Sequence, residues 1–369
     1  MSNRNMLRGI LMLAVGGALC STAFGQNRPK SMAVPRDPLE LATGTIQTPD
    51  SPAAREGALQ LLSRTRQNFS LRGSRQAYEL KVRFTADSHG ETNHDGAWQM
   101  EDQFAPGRGL RWTAKSESGY VITGLFAGGK VYAEGTAAAI PLRLHDARAL
   151  LLDPVQSANF AKAGTIRTAA ATFRGVQVTC LLLSRSRNMA NPGPSRDWEE
   201  TEECIDPQSG LLQVHSEVPG RYVVYDYANG PQFGGHPFPA TVTVNEGGRV
   251  VSKISVESVQ AIAAPDPTLF VPTAAMKADA PGMAMTSASK IVRLMGSVGP
   301  STIVRPVCVF GMMTPSGHLV EAHALQPGDP NSQAAIEDAK KLDLSPSIPA
   351  GAPRQQHFVF VIEKFVVQD

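Results

Sequence analysis

The chain has 369 residues, with 35 lysines and arginines against 33 acids and a formal net charge of +2. Removing the N-terminal leader described next takes away Arg4 and Arg8, which leaves 33 bases against 33 acids. That balance supplies no field to gather nucleic acid, no basic cluster supplies a local one, and the length predicts two domains rather than one core.

The first residues, MSNRNMLRGILMLAVGGALCSTAFGQ, place Arg4 and Arg8 before an apolar run from Ile10 to Leu19 and small residues ending at Gly25. This pattern predicts a secretory signal over 1–25, cleaved before Gln26. An uncleaved anchor is the alternative, but the run is short for a bilayer and glycines interrupt it. Cys20 would suit lipid attachment, yet Leu19 stands where a small residue belongs. From 26 to 55 the sequence is polar and punctuated by proline, which predicts a flexible lead.

A short helix is expected in GALQLLSRTRQNF, where Leu61, Leu62, Thr65 and Phe69 recur at helical spacing. The period then drops to two: in AYELKVRF, Tyr78, Leu80, Val82 and Phe84 alternate with charged residues. Similar segments follow in WQMEDQF, LRWTA, YVITGLF and KVYAEG, separated by turn residues, and predict an antiparallel meander. PLRLHDARALLLDPV interrupts it with a helix whose apolar side is Leu142, Ala149, Leu150 and Leu152, with Pro141 in the first turn. Strands resume in TFRGVQVTCLLL, GLLQVHSEV, RYVVYDYA, FPATVTVNE and RVVSKISVESVQAI. Residues 56–272 therefore read as one mainly β unit with helical insertions, closed by PDPTLFVP.

Residues 273–290 lose alternation and read as a linker. A second, smaller α+β unit follows over 291–369, with strands in STIVRPVCVFGMM and HLVEAHAL. A helix is expected in DPNSQAAIEDAKKL, capped by Asp329 with Pro330 in its first turn, turning Ala335, Ile336, Ala339 and Leu342 inward. QHFVFVIEKFVV forms the last strand.

Three cysteines remain after the leader. Cys180 closes VQVTC and Cys204 precedes a turn, with a long polar excursion between them. An exported chain meets oxidising conditions, so a Cys180–Cys204 bridge is expected, stabilising by roughly 3 kcal/mol through loop closure. Cys308, in an apolar stretch, is expected to pack as a small hydrophobe.

The motifs with a bearing on chemistry are weak. HLVEAH, the second strand of a hairpin, is expected to put Leu319, Glu321, His323 and Leu325 on one face and His318, Val320, Ala322 and Ala324 on the other, so the two histidines point apart and a shared metal ion is not expected. GLFAGGK has phosphate-loop spacing, but Val131 stands where Ser or Thr belongs and a strand follows. A catalytic site would need His94, Asp95, His145 and His236 to converge, and nothing local makes them do so. No enzyme activity, cofactor or metal is expected. Trp98, Trp112, Tyr120 and Tyr132 sit on alternating strands, where they either fill a core or line an apolar cavity.

Two resemblances add to this. PVCVFGMMTPSGHLVEAHAL, SQAAIEDAKKLDLSPSI and GAPRQQHFVFVIEKF, over about 291–367, resemble the C-terminal domain of TonB-like proteins in the order strand, turn, strand, helix, strand, with Leu342 where an aromatic residue is common. That likeness implies a module offering a strand edge to a partner. Residues 56–272 more weakly resemble the lipoprotein-carrier (LolA/LolB-like) group, through an initial helix, a long antiparallel sheet, a helical insertion and Asp266, Leu269, Phe270 and Pro272 in D-x-x-L-F-x-P. That likeness implies a curved, half-barrel-like sheet around a cavity for acyl chains.

The sequence thus leads to an exported, periplasmic binding protein. Its first unit would hold an apolar or lipid ligand, and its second would dock on an envelope or outer-membrane protein. A TonB-type transport-associated or structural envelope protein without ligand, and a periplasmic hydrolase, are the alternatives. A sheet interior found fully packed would count against the ligand.

Overall fold

The computed structural model describes residues 46–47, 51–69, 71, 74–89, 94–135, 140–155, 164–184, 196–278, 289–296, 302–345 and 357–368. The expected signal, most of the flexible lead and much of the loop between the two cysteines lie outside these. Among the described residues, no helix is long and apolar enough to cross a membrane.

The architecture is mainly β. Helix α1, Pro52–Phe69, precedes the meander β1 (Tyr78–Ala86), β2 (Gly96–Ala105), β3 (Gly109–Ser116), β4 (Val121–Ala127) and β5 (Lys130–Gly135). Helix α2, Leu142–Leu152, is followed by β6 (Thr165–Phe173), β7 (Val176–Ser184), β8 (Thr201–Ile205), β9 (Leu212–Ser216) and β10 (Arg221–Asp226). A small hairpin, β11 (Gln232–Phe233) with β12 (His236–Pro237), leads to β13 (Thr241–Glu246) and β14 (Arg249–Ala261). The long sheet does not stop at Pro272: β15, Lys277–Ala278, returns to pair with β5 as an edge strand.

These strands form one open antiparallel sheet in the order β15-β5-β4-β3-β2-β1-β14-β13-β10-β9-β8-β7-β6. β14 joins its two halves, pairing with β1 on one side and β13 on the other. Alternation behaves as period two requires: along β1, Tyr78, Leu80, Val82 and Phe84 point into the main core while Arg83 and Thr85 are exposed. Trp98, Met100, Trp112 and Ala114 continue this inner face across β2 and β3. Alanine and leucine side chains of α1 and α2 cover it.

The C-terminal unit is a four-stranded sheet in the order β16-β19-β17-β18, from β16 (Ser289–Met295), β17 (Thr302–Met313), β18 (Leu319–Ala324) and β19 (His357–Gln368). β16 runs parallel to β19, and the other pairs are antiparallel. Helix α3, Ser332–Lys341, covers one face through Ala335 and Ala339, packed against Val307, Val309, Val359 and Val361. It starts later than the sequence implies. Asn331 is the N-cap, and Asp329 instead accepts from Asn331 N at 2.8 Å, bending the chain before the helix.

The face assignment for HLVEAH also needs correcting. A β-bulge opposes Glu321 and Ala322 to the single residue Gly311, because the pairing steps from Met312↔Val320 to Phe310↔His323. Glu321 has φ +50°, and a Cβ on Gly311 would lie 3.0 Å from the Val320 carbonyl oxygen. The inserted residue reverses the alternation. Leu319, expected beside His323, joins Ala322 and Ala324 under α3, while His323 and Leu325 face the large unit.

Candidate functional site

The site lies where α2 is held between the two units. All eleven residues of α2 are buried, including Arg143, His145, Asp146 and Arg148. Leu144, Ala147, Leu150 and Leu151 pack on the large sheet. Leu142 and Ala149 turn the other way, into a second core with Trp198, Val218, Phe310, Phe358 and Phe360. The C-terminal sheet is therefore two-faced, and its second face closes over α2.

A helix buried on every side needs a partner for each charge it carries. Arg143 grips both oxygens of Glu246 at 2.7 Å. Asp146 accepts from Arg221 Nη2 with both oxygens, at 2.6 and 2.5 Å. Arg148 donates to Asp102 at 3.2 Å and lies 4.0 Å above the Trp112 ring. Past the helix, Asp153 pairs with Arg66 of α1 at 3.3 Å. Arg221 also reaches Glu246 at 3.0 Å and Glu217 at 2.7 Å and stacks over Phe310, so one guanidinium ties α2, the large sheet and the C-terminal unit.

The electrostatics follow from this packing. Burial opposes ionisation of Glu246, but Arg143 and His323 beside it outweigh that and hold it well below the usual carboxylate range. Burial alone would depress His215, yet Glu203 at 3.0 Å and Glu217 at 2.9 Å pull it up to about 10. Burial pushes the Cys308 thiol far above its ordinary value, which leaves it inert.

The C-terminal unit adds polar contacts to this joint, among them Lys290 Nζ, which donates to Glu199 O at 2.8 Å and Thr201 Oγ1 at 2.9 Å. Glu321 Oε2 accepts from Leu142 N at 2.9 Å, capping the first turn of α2 from another unit. His323 Nε2 lies 2.6 Å from Glu246 Oε2. Gln326 Oε1 accepts from Cys308 N at 2.8 Å, and its Nε2 donates to Pro219 O at 3.5 Å.

The sequence-predicted residues fall as follows. Cys180 and Cys204 are directly cross-strand on β7 and β8 and form the disulfide. Trp98, Trp112 and Tyr120 come together in the main core, with exposures of 1, 2 and 5 %. Trp98 stacks on Phe84 at 5.5 Å and meets Tyr120 at 5.3 Å. Tyr132 is elsewhere, packed with Leu125 and Phe270. The interior beside the tryptophans is filled by α2. A groove of about 490 Å³ touches Trp98, but it opens on the outer face among Arg83, Lys115 and Lys253.

The four residues a catalytic site would require do not converge. His94 meets Tyr120 edge-on at 5.0 Å, Asp95 accepts from Ser88 N, His145 lies against Phe358, and His236 is exposed in the small hairpin. GLFAGGK is the β4–β5 hairpin, with Gly128 and Gly129 at positive φ. Sequence reasoning missed β8. TEECI looks like solvated loop, but Glu202 and Glu203 are fully buried against Arg196 and His215.

No family model and no curated protein matches the chain. Among solved structures, it is similar to a LolA superfamily protein from Nitrosomonas europaea, at 12 % identity and TM-score 0.38, over 58 % of this chain and 97 % of that one. It is similar to a DUF1329 family protein from Desulfovibrio piger, at 10 % identity and TM-score 0.38, over 60 % and 98 %. It is also similar to MucB in the MucA/MucB complex of Pseudomonas aeruginosa, at 13 % identity and TM-score 0.27, over 73 % and 82 %.

Proposed function

We propose that this chain is a non-catalytic binding protein of the periplasm, whose large unit takes up an apolar or acyl ligand beneath α2 and whose C-terminal unit docks on an envelope protein. The observation that carries the ligand reading is α2 itself. It covers the apolar surface of Leu80, Val82, Phe84, Trp98, Met100 and Trp112, yet its charged residues fasten it at discrete points. An acyl chain in place of α2 would bury the same apolar surface, at the cost of breaking the Arg143–Glu246, Arg221–Asp146 and Arg148–Asp102 pairs. The packed interior counts against a preformed cavity, so the ligand reading stands only if α2 is displaced.

The test is titration of the full chain with a fluorescent fatty acid, followed through tryptophan quenching. Arg148→Met should bind more tightly than the wild type, because it frees α2 from Asp102. Absence of quenching in both proteins would refute a ligand beneath α2.

For docking, the support is an edge. β16 pairs only with β19 and exposes Val292 and Leu294, at 38 and 52 %, on a strand with one free side among the described residues. The TonB-like order read from the sequence over 291–367 adds to this reading as a resemblance of sequence alone. Cross-linking from position 292 in the envelope should yield one adduct that Leu294→Lys abolishes.

A further inference from the structure

The geometry points to a divalent-metal site at the joint, formed by His89 and Glu246 of the large unit and His323 of the C-terminal unit, with Zn²⁺ as the best-suited ion. Both imidazoles aim Nε2 at one carboxylate oxygen: Glu246 Oε2 is 2.6 Å from His323 and 3.5 Å from His89. The rings stack with centroids 4.4 Å apart, so the two nitrogens and the oxygen lie within 4.8 Å of one another.

The hydrogen-bond chemistry favours a cation here. His323 Nδ1 lies 3.3 Å from the Glu321 carbonyl oxygen, which can only accept. A neutral ring donating there turns a bare lone pair at Nε2 toward a carboxylate oxygen 2.6 Å away. The other neutral tautomer donates Nε2–H to Glu246 and leaves a bare Nδ1 facing the Glu321 carbonyl oxygen, so a neutral ring satisfies only one of its two neighbours. His89 Nε2 is equally buried and makes no hydrogen bond among the described residues, although the rest of that side chain is 21 % exposed. A metal ion satisfies both nitrogens at once, and the backbone carbonyl behind His323 is the usual outer support of a ligating imidazole.

Charge and coordination also fit. Arg143, Arg221 and His215 face four acids, Asp146, Glu203, Glu217 and Glu246, which leaves one negative charge in surplus. Arg143 bonds both oxygens of Glu246 and fixes the plane of the carboxylate, so that Oε2 faces the imidazoles. Two imidazoles and a carboxylate suit Zn²⁺, with Ni²⁺ and Cu²⁺ as competitors, and the exposed edge of His89 admits water to a fourth position. The ion would staple the two units together. A plain imidazole–carboxylate hydrogen bond also accounts for the 2.6 Å contact, and it predicts no metal uptake.

The experiment is calorimetric titration of the tag-free, chelator-stripped full chain with Zn²⁺, with Co²⁺ visible absorption as a second readout. One ion per chain is expected, with a cobalt spectrum of low coordination number. His89→Ala and His323→Ala should each weaken binding at least about tenfold, while His318→Ala binds like the wild type. His89→Ala, on a partly exposed loop, tests the site even if His323→Ala fails to fold. No uptake, uptake unchanged in His89→Ala, or uptake lost in His318→Ala would overturn the assignment.

Discussion

The helices α2 and α3 both cover a β-sheet, and they do so by opposite means. α3 buries Ser332, Ala335 and Ala339, and leaves Lys340 and Lys341 in solvent. α2 buries every residue, and the large sheet supplies the partners of Arg143, Asp146 and Arg148. The first arrangement is an ordinary cover. The second is a joint, because its charges are satisfied only while the surrounding elements stay together.

That difference can be broken experimentally. Arg221→Ala should have the largest effect, since it leaves the buried Asp146 and Glu246 and the half-buried Glu217 without their shared cation; a loss of about 3–5 kcal/mol is expected in urea unfolding. Next comes pH. His215 is raised from 6.5 to about 10 in the folded chain, so its contribution is complete below pH 6.5 and fades as pH rises toward 10. Between pH 7 and 9 the loss should be on the order of 2–3 kcal/mol, and His215→Gln should flatten that part of the profile.

Smaller effects sharpen the contrast. Glu321→Ala removes the cap on α2 and should cost about 1 kcal/mol, with amide exchange rising first at Leu142 and its neighbours. Lys341→Ala on α3 breaks only a 3.3 Å pair with Asp338 in solvent and should change stability by less than about 0.5 kcal/mol. Equal costs for Arg221→Ala and Lys341→Ala would remove the distinction between joint and cover.

Much of the fold was legible because it obeys simple periods. β1 shows its buried face in Tyr78, Leu80, Val82 and Phe84, and α3 in Ala335 and Ala339. The joint was not legible, for physical reasons. Buried charges look solvated until their partners are known, which hid β8 and made α2 seem one-sided. A single inserted residue at Glu321 inverted the faces of β18. His323 meets Glu246 across 77 residues of sequence, and His89 comes from another loop, so no local spacing announces the cluster. The signal that was available is the density of acids and bases in segments otherwise rich in leucine and valine, LRLHDARALLL above all.

The place of β14 sets a timetable for folding. Tyr78 pairs with Ala261, and Ala86 with Ser252, so the strand that opens the meander completes its hydrogen bonds only when the last long strand of the sheet arrives. Until then β1 presents an open edge, and the halves on either side of it cannot join. Such non-local closure is slow and leaves sticky intermediates exposed. A chain cut before Arg249 would be stranded at that stage and should aggregate, whereas one cut after Val271 keeps the closing strand.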